Sequence, residues 1–309
     1  MMQVHFIGLG EINLFNLAIA LHKKGETVTG SDEKFDESLK SIMQEQGLLP
    51  KGAGWFSDSI HAQLDAVVIG SQVKHDNPEL VKAQELGLPL FSFPDFLYEQ
   101  TKYKTRVVIT GYQNQGTVAK MILHALDYNE VATDYVTQTS NGIHLTTEND
   151  FILIEAGNGV SSSLDSTPQF QKYIPNIALL SDISSPKDTD SEPFALFVDS
   201  VVKGGSITYN DEDSTVKELV EASENPIRKF PYSTPAYQEA NGEIFLDTPD
   251  GEMPLEISGA DDLRSMAGAK WICQQMGVDE VEFYEAMSYF KSDINWYFFK
   301  KTLFIIGIS

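Results

Sequence analysis

The stretch that most constrains the fold is Arg106–Met121, RVVITGYQNQGTVAKM. Val107-Val108-Ile109 is a short β-branched run of the kind that forms a buried strand. Thr110 and Gly111 break it. From about Gly116 the period changes: Val118, Met121, Ile122 and Ala125 recur at helix spacing. Strand, glycine-containing loop and helix together form the setting of a phosphate-binding loop. In such a loop, backbone N–H groups and a helix N-terminus surround an anion, a lysine reaches the outer phosphates and a Ser or Thr hydroxyl holds Mg²⁺. Here the loop residues Tyr112-Gln113-Asn114-Gln115-Gly116 contain no lysine, and Lys120 lies a full turn into the predicted helix. By motif alone the stretch reads equally as an ordinary strand-to-helix turn.

A second unit of the same kind opens the chain. Val4–Ile7 is a predicted strand, Gly8-Leu9-Gly10 a turn, and Ile12–Lys24 an amphipathic helix stopped by Gly25. A strand over Glu26–Thr29 is closed by Gly30-Ser31-Asp32. This β-α-β unit carries GxG at its first turn and an acid about twenty residues on, as dinucleotide sites do. The third fingerprint glycine is absent: Asn13 takes its place. Glu11 sits where a pyrophosphate would lie, and a carboxylate there suits the helix dipole but repels phosphate. The alternative is a β-α-β unit with no ligand.

A helix is expected at Glu37–Gln46 and a strand at Asp65–Gly70, with the loop Ser71–Asn77 at the strand's C-terminal end, where open α/β sheets place ligands. Pro78 opens the next helix. Leu88–Ser92 is a short strand, Phe96–Gln100 a helix, and Lys102–Thr105 a polar linker taken as the domain boundary. Beyond the central loop, strands are expected at Phe151–Ile154, Asn176–Leu180, Ser206–Tyr209, Ile227–Tyr232 and Ile244–Leu246. Helices are expected around Phe194–Val201 and at Val216–Ala222, Asp262–Met276 and Val281–Phe290. Ser184–Glu192 reads as a polar loop, and turns at Asn241-Gly242 and Pro249-Asp250-Gly251 mark a β-rich insertion. Ser161-Ser162-Ser163 reads as loop, and Asp211-Glu212-Asp213 as a solvated turn or cap.

At 309 residues the chain has room for about two domains. The net charge of −23 offers no basic stripe for nucleic acid or for an anionic membrane surface. The single cysteine, Cys273, excludes an internal disulfide, fits a reducing, cytoplasmic setting and reads as a core residue beside Trp271, Ile272 and Met276. No secretory signal or transmembrane run is apparent. The six histidines show no metal-ligand spacing, and no GxSxG occurs. The chain closes on the apolar run Thr302–Ser309, expected either to pack as a last strand or to mark a cut from something larger.

The segments HFIGLG, ALHKKGETVTGSD, DAVVIGSQVKHDNPEL, RVVITGYQNQGTVAKMILHAL, IPNIALLSD, GGSITYNDED and GADDLRSMAGAKW, in this order, resemble the Mur ligases. Within that family the chain is most similar to the UDP-N-acetylmuramate class: the ligase that adds the first alanine and the ligase that reattaches recycled murein tripeptide. The resemblance runs from about Val4 to Lys291. It implies an α/β fold: a Rossmann-like domain at 1–102 that takes a UDP-sugar, then a P-loop-like central domain at 103–309 that in the family binds ATP and Mg²⁺. The family's third domain, which brings the amine, is expected to be absent. The family reaction makes an acyl phosphate from the muramyl carboxylate, which the amine then attacks.

By resemblance Gly8, Gly10, Ser31, Asp32, Ser71 and Asn77 line the UDP-sugar site, while Gly111, Asn114, Gln115 and Gly116 form a degenerate nucleotide loop. The family's Gly-Lys-Thr falls on Asn114-Gln115-Gly116. Its E-x-D-E strand end survives as Glu155, with Gly157 and Asn158 in place of the later acids, so no metal site is expected beyond that remnant. Its Asp-His falls at about Pro186-Lys187, its His-Asn at Asp261-Asp262, and its later arginine at about Trp296. Glu11 stands where the family has glycine, so weakened UDP-sugar affinity is expected.

Losing one charge-stabilising donor typically costs about a hundred- to a thousand-fold in rate. The combined departures therefore imply a chain that folds without the family's chemistry, with no ATP or Mg²⁺ bound. Its expected partners are a UDP-muramyl ligand or another Mur ligase, with neither nucleic acid nor membrane. The alternatives are a working ligase, using Lys120 or Lys187 and a partner's third domain, and a truncated relic.

Overall fold

The computed structural model describes residues 1–50, 52–139, 142–183, 191–240, 243–248 and 251–291. In chain order the first elements are β1 (Gln3–Ile7), α1 (Ile12–Lys23), β2 (Thr27–Ser31), α2 (Glu37–Glu45), β3 (Ala66–Ile69), α3 (Pro78–Glu85), β4 (Leu90–Ser92) and α4 (Phe93–Thr101). Then come β5 (Thr105–Thr110), α5 (Gln115–Tyr128), β6 (Asp134–Val136), β7 (Ile143–His144), β8 (Phe151–Glu155), β9 (Val160–Ser162), β10 (Asp165–Pro168) and β11 (Ile177–Leu180). The last are α6 (Glu192–Ser200), β12 (Ser206–Asn210), α7 (Ser214–Ala222), β13 (Arg228–Tyr232), β14 (Tyr237–Ala240), β15 (Glu243–Thr248), β16 (Gly251–Leu255), α8 (Ala260–Gln275) and α9 (Glu280–Met287). Of the features read from the sequence, Asn241-Gly242, residues 249–250, most of the Ser184–Glu192 loop with Pro186 and Lys187, Trp296 and the closing apolar run lie outside the described residues.

Contacts divide the chain into two compact units: Met1–Arg106 with Asp134–Ile152 and Ala156–Ile174, and Val107–Thr133 with Leu153–Glu155 and Pro175–Ser309. In the first unit the strands run β2-β1-β3-β4, all parallel, with Phe6 opposite Gly30 and Val68. The chain moves from β1 to one side for β2 and to the other for β3. The order therefore reverses at β1, and this is where a ligand crevice forms in an open α/β sheet. Ile7, Val67, Ile69, Val73 and Leu80 pack on one face of this sheet, each buried. α1 runs to Lys23 because Gly25, at φ +93°, turns the chain in a conformation that costs other residues energy.

α4 begins at Phe93, three residues before the expected Phe96. The Ser92 hydroxyl accepts from the Asp95 N–H, and Pro94 sits in the first turn, where its missing N–H costs nothing. Ser161 and Ser162, expected in a loop, lie in β9, which pairs antiparallel with β10. Arg106, buried at the end of this unit, donates to the carbonyls of Thr101, Lys102, Lys104, Tyr173 and Ile174 and stacks on Tyr98.

In the second unit the order is β13-β12-β11-β5-β8. β5 is parallel to β11, β11 to β12 and β12 to β13. The order reverses at β5, which the chain leaves toward β8 on one side and β11 on the other. α5 buries Val118, Met121, Ile122 and Ala125, the stripe read from the sequence. The β-rich insertion is a three-stranded antiparallel sheet, β14-β15-β16, larger than the single Ile244–Leu246 strand expected. Cys273 is fully buried on α8, and burial pushes its thiol up, away from a reactive thiolate.

Candidate functional site

The glycine turn after β1 lies at the switch point of the first sheet. Gly8 adopts φ +95° there. The N–H groups of this turn have internal acceptors. Those of Gly8 and Leu9 donate to the Ser31 carbonyl at 2.9 and 3.0 Å, that of Glu11 to the Gly8 carbonyl at 3.1 Å, and that of Gly10 to Asp32 Oδ2 at 2.8 Å. A Cβ on Gly10 would lie 2.8 Å from the Lys34 carbonyl oxygen and 2.9 Å from Asp32 Oδ2. The close approach of the Asp32 loop thus explains this glycine.

Glu11 turns its carboxylate to the loop after β3. It accepts from the Ser71 N–H at 3.0 Å, the Ser71 hydroxyl at 3.1 Å and the Gln72 N–H at 3.0 Å. Gly70 leaves room for this contact, since a Cβ there would displace the Glu11 carboxylate.

Beside this turn opens a cavity of about 490 Å³. Gly8, Gly10, Asp32 and Asn77 of the predicted UDP-sugar set line it, with Glu11, Glu33, Asp76, Lys34, Lys74 and Trp55. The predicted Ser31 and Ser71 do not line it. Ser31 is buried and donates its hydroxyl to Glu79, while Ser71 serves Glu11. Asn77 lines the wall but spends its side-chain oxygen on the Glu79 and Leu80 N–H groups as the cap of α3.

Behind the cavity is a polar cluster that sequence reasoning missed. Glu79, fully buried, accepts from the Ser31 hydroxyl and the Phe56 N–H, and faces His5 Nε2 at 3.2 Å. His5 Nδ1 meets the Thr29 hydroxyl at 2.8 Å. Burial pushes the Glu79 carboxyl up, but the hydrogen bonds from His5, Ser31 and Phe56 outweigh it and hold the carboxyl below its ordinary value. The available signal was His5 itself, a polar residue inside the short apolar run Val4–Ile7, all of which is buried.

The second site is the Gly111–Gly116 loop at the switch point of the second sheet. Its N–H groups converge on Asp182, at the end of the adjoining β11. Asp182 Oδ1 accepts from the Tyr112 N–H at 2.8 Å and the Gln113 N–H at 3.0 Å. Oδ2 accepts from the Asn114 N–H at 3.3 Å and the Ser181 hydroxyl at 3.0 Å. Gly111 is required here: a Cβ would collide with Ser181 Oγ and come within 3.3 Å of the Asp182 nitrogen.

Glu155, ending β8, reaches Gly116, where its Oε1 would lie 3.1 Å from an added Cβ. The Gln115 side-chain oxygen is buried without a hydrogen-bond partner. Lys120 is exposed on α5, and Asp213 caps α7. Asp261 and Asp262 open α8, where they hold Arg264 and the Ser258 N–H. Among the described residues no group of three or more His, Cys, Asp or Glu is gathered as a metal site, and no helix is long and apolar enough to cross a membrane.

Two glycine turns, each at the switch point of a parallel sheet, define a chain that joins a Rossmann-like unit to a P-loop-like one. The model of the Mur ligase family, catalytic domain, matches residues 3–105. Among curated proteins, the UDP-N-acetylmuramate–L-alanine ligase of a Sulfurihydrogenibium strain is 26% identical over 94% of this chain and 66% of its own length. That of Clostridium botulinum is 30% identical over 73% of this chain and 50% of its own. The chain thus spans just under two thirds of the first of these relatives and half of the second.

Among solved structures, the UDP-N-acetylmuramate:L-alanyl-gamma-D-glutamyl-meso-diaminopimelate ligase of Neisseria meningitides shares the fold. It has a TM-score of 0.81 at 20% identity, covering 94% of this chain and 98% of that one. The UDP-N-acetylmuramate-alanine ligase of Thermotoga maritima does so at a TM-score of 0.69 and 16% identity, covering 93% of this chain and 68% of that one. Residues 3–105 thus match the Mur ligase family, and the chain at large is similar in sequence and fold to ligases of that kind.

Proposed function

We propose that this chain is a non-catalytic Mur-ligase-type protein of the cytoplasm. It recognises a UDP-N-acetylmuramyl ligand in the cavity beside Gly8 and Gly10 and pairs with a working ligase of the family. Residues 1–102 form the sugar-nucleotide part and residues 103–309 the central part.

The observation that carries this reading is the seating of Asp182 among the N–H groups of Tyr112, Gln113 and Asn114. A triphosphate would need those donors and a cation beside them. The loop instead presents a carboxylate, and Gln115 in the lysine position cannot supply charge. The donors near Gly116 are equally poor for Mg²⁺: Gly116 has no hydroxyl, and Glu155 is one acid where the family has several. The residues of this loop therefore do not fit ATP with Mg²⁺.

The first unit supports ligand recognition differently. Asp32 stands at the ribose position, Trp55 offers an aromatic face, and Lys34 and Lys74 place two cations among the acids Glu11, Asp32, Glu33 and Asp76 of the cavity wall. Calorimetric titration with UDP-N-acetylmuramate, and separately with ATP and Mg²⁺, tests the reading. Sugar-nucleotide binding without ATP binding is expected. Micromolar ATP binding overturns it.

One set of observations favours a second reading, a working ATP-dependent ligase. The curated relatives above are named UDP-N-acetylmuramate–L-alanine ligases. ATP-dependent amide formation from UDP-N-acetylmuramate by the purified protein would establish this reading and end the first.

A further inference from the structure

We propose that Asp182 is an internal anion that closes the Gly111–Gly116 loop to phosphate, and that removing its charge turns the loop into a site for a phosphate-class anion. Three consecutive backbone N–H groups and one hydroxyl converge on one carboxylate, at 2.8 to 3.3 Å. The Tyr112 N–H also reaches the Asp182 carbonyl at 3.1 Å, and Asn114 Nδ2 reaches Oδ2 at 3.4 Å. Successive N–H groups pointing into one hollow form an anion nest, and the nest does not distinguish a side-chain carboxylate from a phosphate by charge.

Asp182 is delivered by the fold. It follows β11, the parallel neighbour of β5, with Leu180 opposite Thr110. The Ser181 N–H donates to the Thr110 carbonyl at 3.1 Å, which holds the two strand ends together. The glycine at 111 removes the Cβ that would keep them apart.

The first unit repeats the device. The Glu11 carboxylate takes the Ser71 and Gln72 N–H groups beside its own glycine turn. In each unit an acid of the chain fills donors of the kind that hold phosphate, so the loops keep their shape with no ligand. The inference stands on the second unit alone and is independent of sugar-nucleotide binding by the first.

The test uses the full chain, the variants Asp182→Ala and Asp182→Asn, and inorganic pyrophosphate as probe. The readouts are the backbone amide NMR signals of Tyr112, Gln113 and Asn114 and the thermal midpoint. In the wild type these three amides are expected to stay fixed as pyrophosphate is added. In Asp182→Ala they shift, the midpoint falls without pyrophosphate and recovers with it, and affinity at this loop exceeds the wild type by about tenfold or more. Asp182→Asn keeps an acceptor, loses the charge and lies between. Equal shifts in wild type and variant, or a folded variant whose three amides ignore pyrophosphate, overturn the proposal. If Asp182→Ala does not fold, the response of Asp182→Asn decides.

Discussion

The turn after β1 and the loop after β5 start from the same plan. Each follows a buried parallel strand, each contains glycine, and each leads into a helix with no side-chain cap at its N-terminus. They differ in how their donors are used. In the second unit three successive N–H groups meet on Asp182. In the first, the donors of the turn are spread over the Ser31 and Gly8 carbonyls and the Asp32 carboxylate, and a cavity of about 490 Å³ remains beside them. A strand–glycine–helix turn is thus a supply of donors whose use is decided elsewhere, by the residue that the neighbouring strand brings in.

The largest expected effect falls on the first unit. Glu79→Ala leaves His5, the Ser31 hydroxyl and the Phe56 N–H without their shared acceptor. It should cost about 3–5 kcal/mol in urea unfolding, the penalty for breaking a buried charged network. A loss under about 1 kcal/mol would show that the cavity wall does not depend on this cluster.

Gly111→Ala comes next, at about 1–3 kcal/mol, because the added methyl meets Ser181 and Asp182 and forces the two strand ends apart. Its NMR spectrum should show changes at Ser181 and Asp182. An unperturbed spectrum would remove the close approach from the comparison.

Glu11→Gly acts in the opposite sense on ligand. Deleting a carboxylate beside the cavity should tighten UDP-N-acetylmuramate about tenfold, while freeing the Ser71 and Gln72 N–H groups. Unchanged affinity in calorimetry would show that this acid does not oppose the ligand.

The smallest effect is on acid stability. Burial pushes the Asp165 carboxyl up, but Lys172 and Thr167 outweigh it and leave the carboxyl at about 2, below its ordinary 3.8. A carboxyl lowered in the fold contributes stability that is present above the ordinary value and lost as pH falls toward the lowered one. Lys172→Met should therefore flatten the loss of stability between about pH 4 and pH 2. An identical acid profile would mean that this ion pair contributes nothing.

How much of this was readable follows from the range of each contact. The β1-α1-β2 unit and the β5-α5 unit were legible because apolar period and glycine punctuation are local. β9 and β10 were not, because segments such as Asp165–Pro168 are too short and polar to show alternation. β14 escaped because its four residues are all exposed. At the sites, the charge conflict of Glu11 with a phosphate could be read from its place after the glycine turn. Its service to Ser71 and Gln72 could not, nor could Asp182's hold on a loop 68 to 70 residues away. A carboxylate at a strand end looks alike in sequence whether it faces water, a metal or a nest of N–H groups; only strand order tells them apart.

The burial of Cys273 makes the second unit its own clock. It is the single thiol of the chain, held at 0% exposure on α8. A disulfide reagent in excess can then modify the folded protein only as often as that helix opens. The labelling rate, extrapolated to zero denaturant, would time the opening of the central core without any engineered probe.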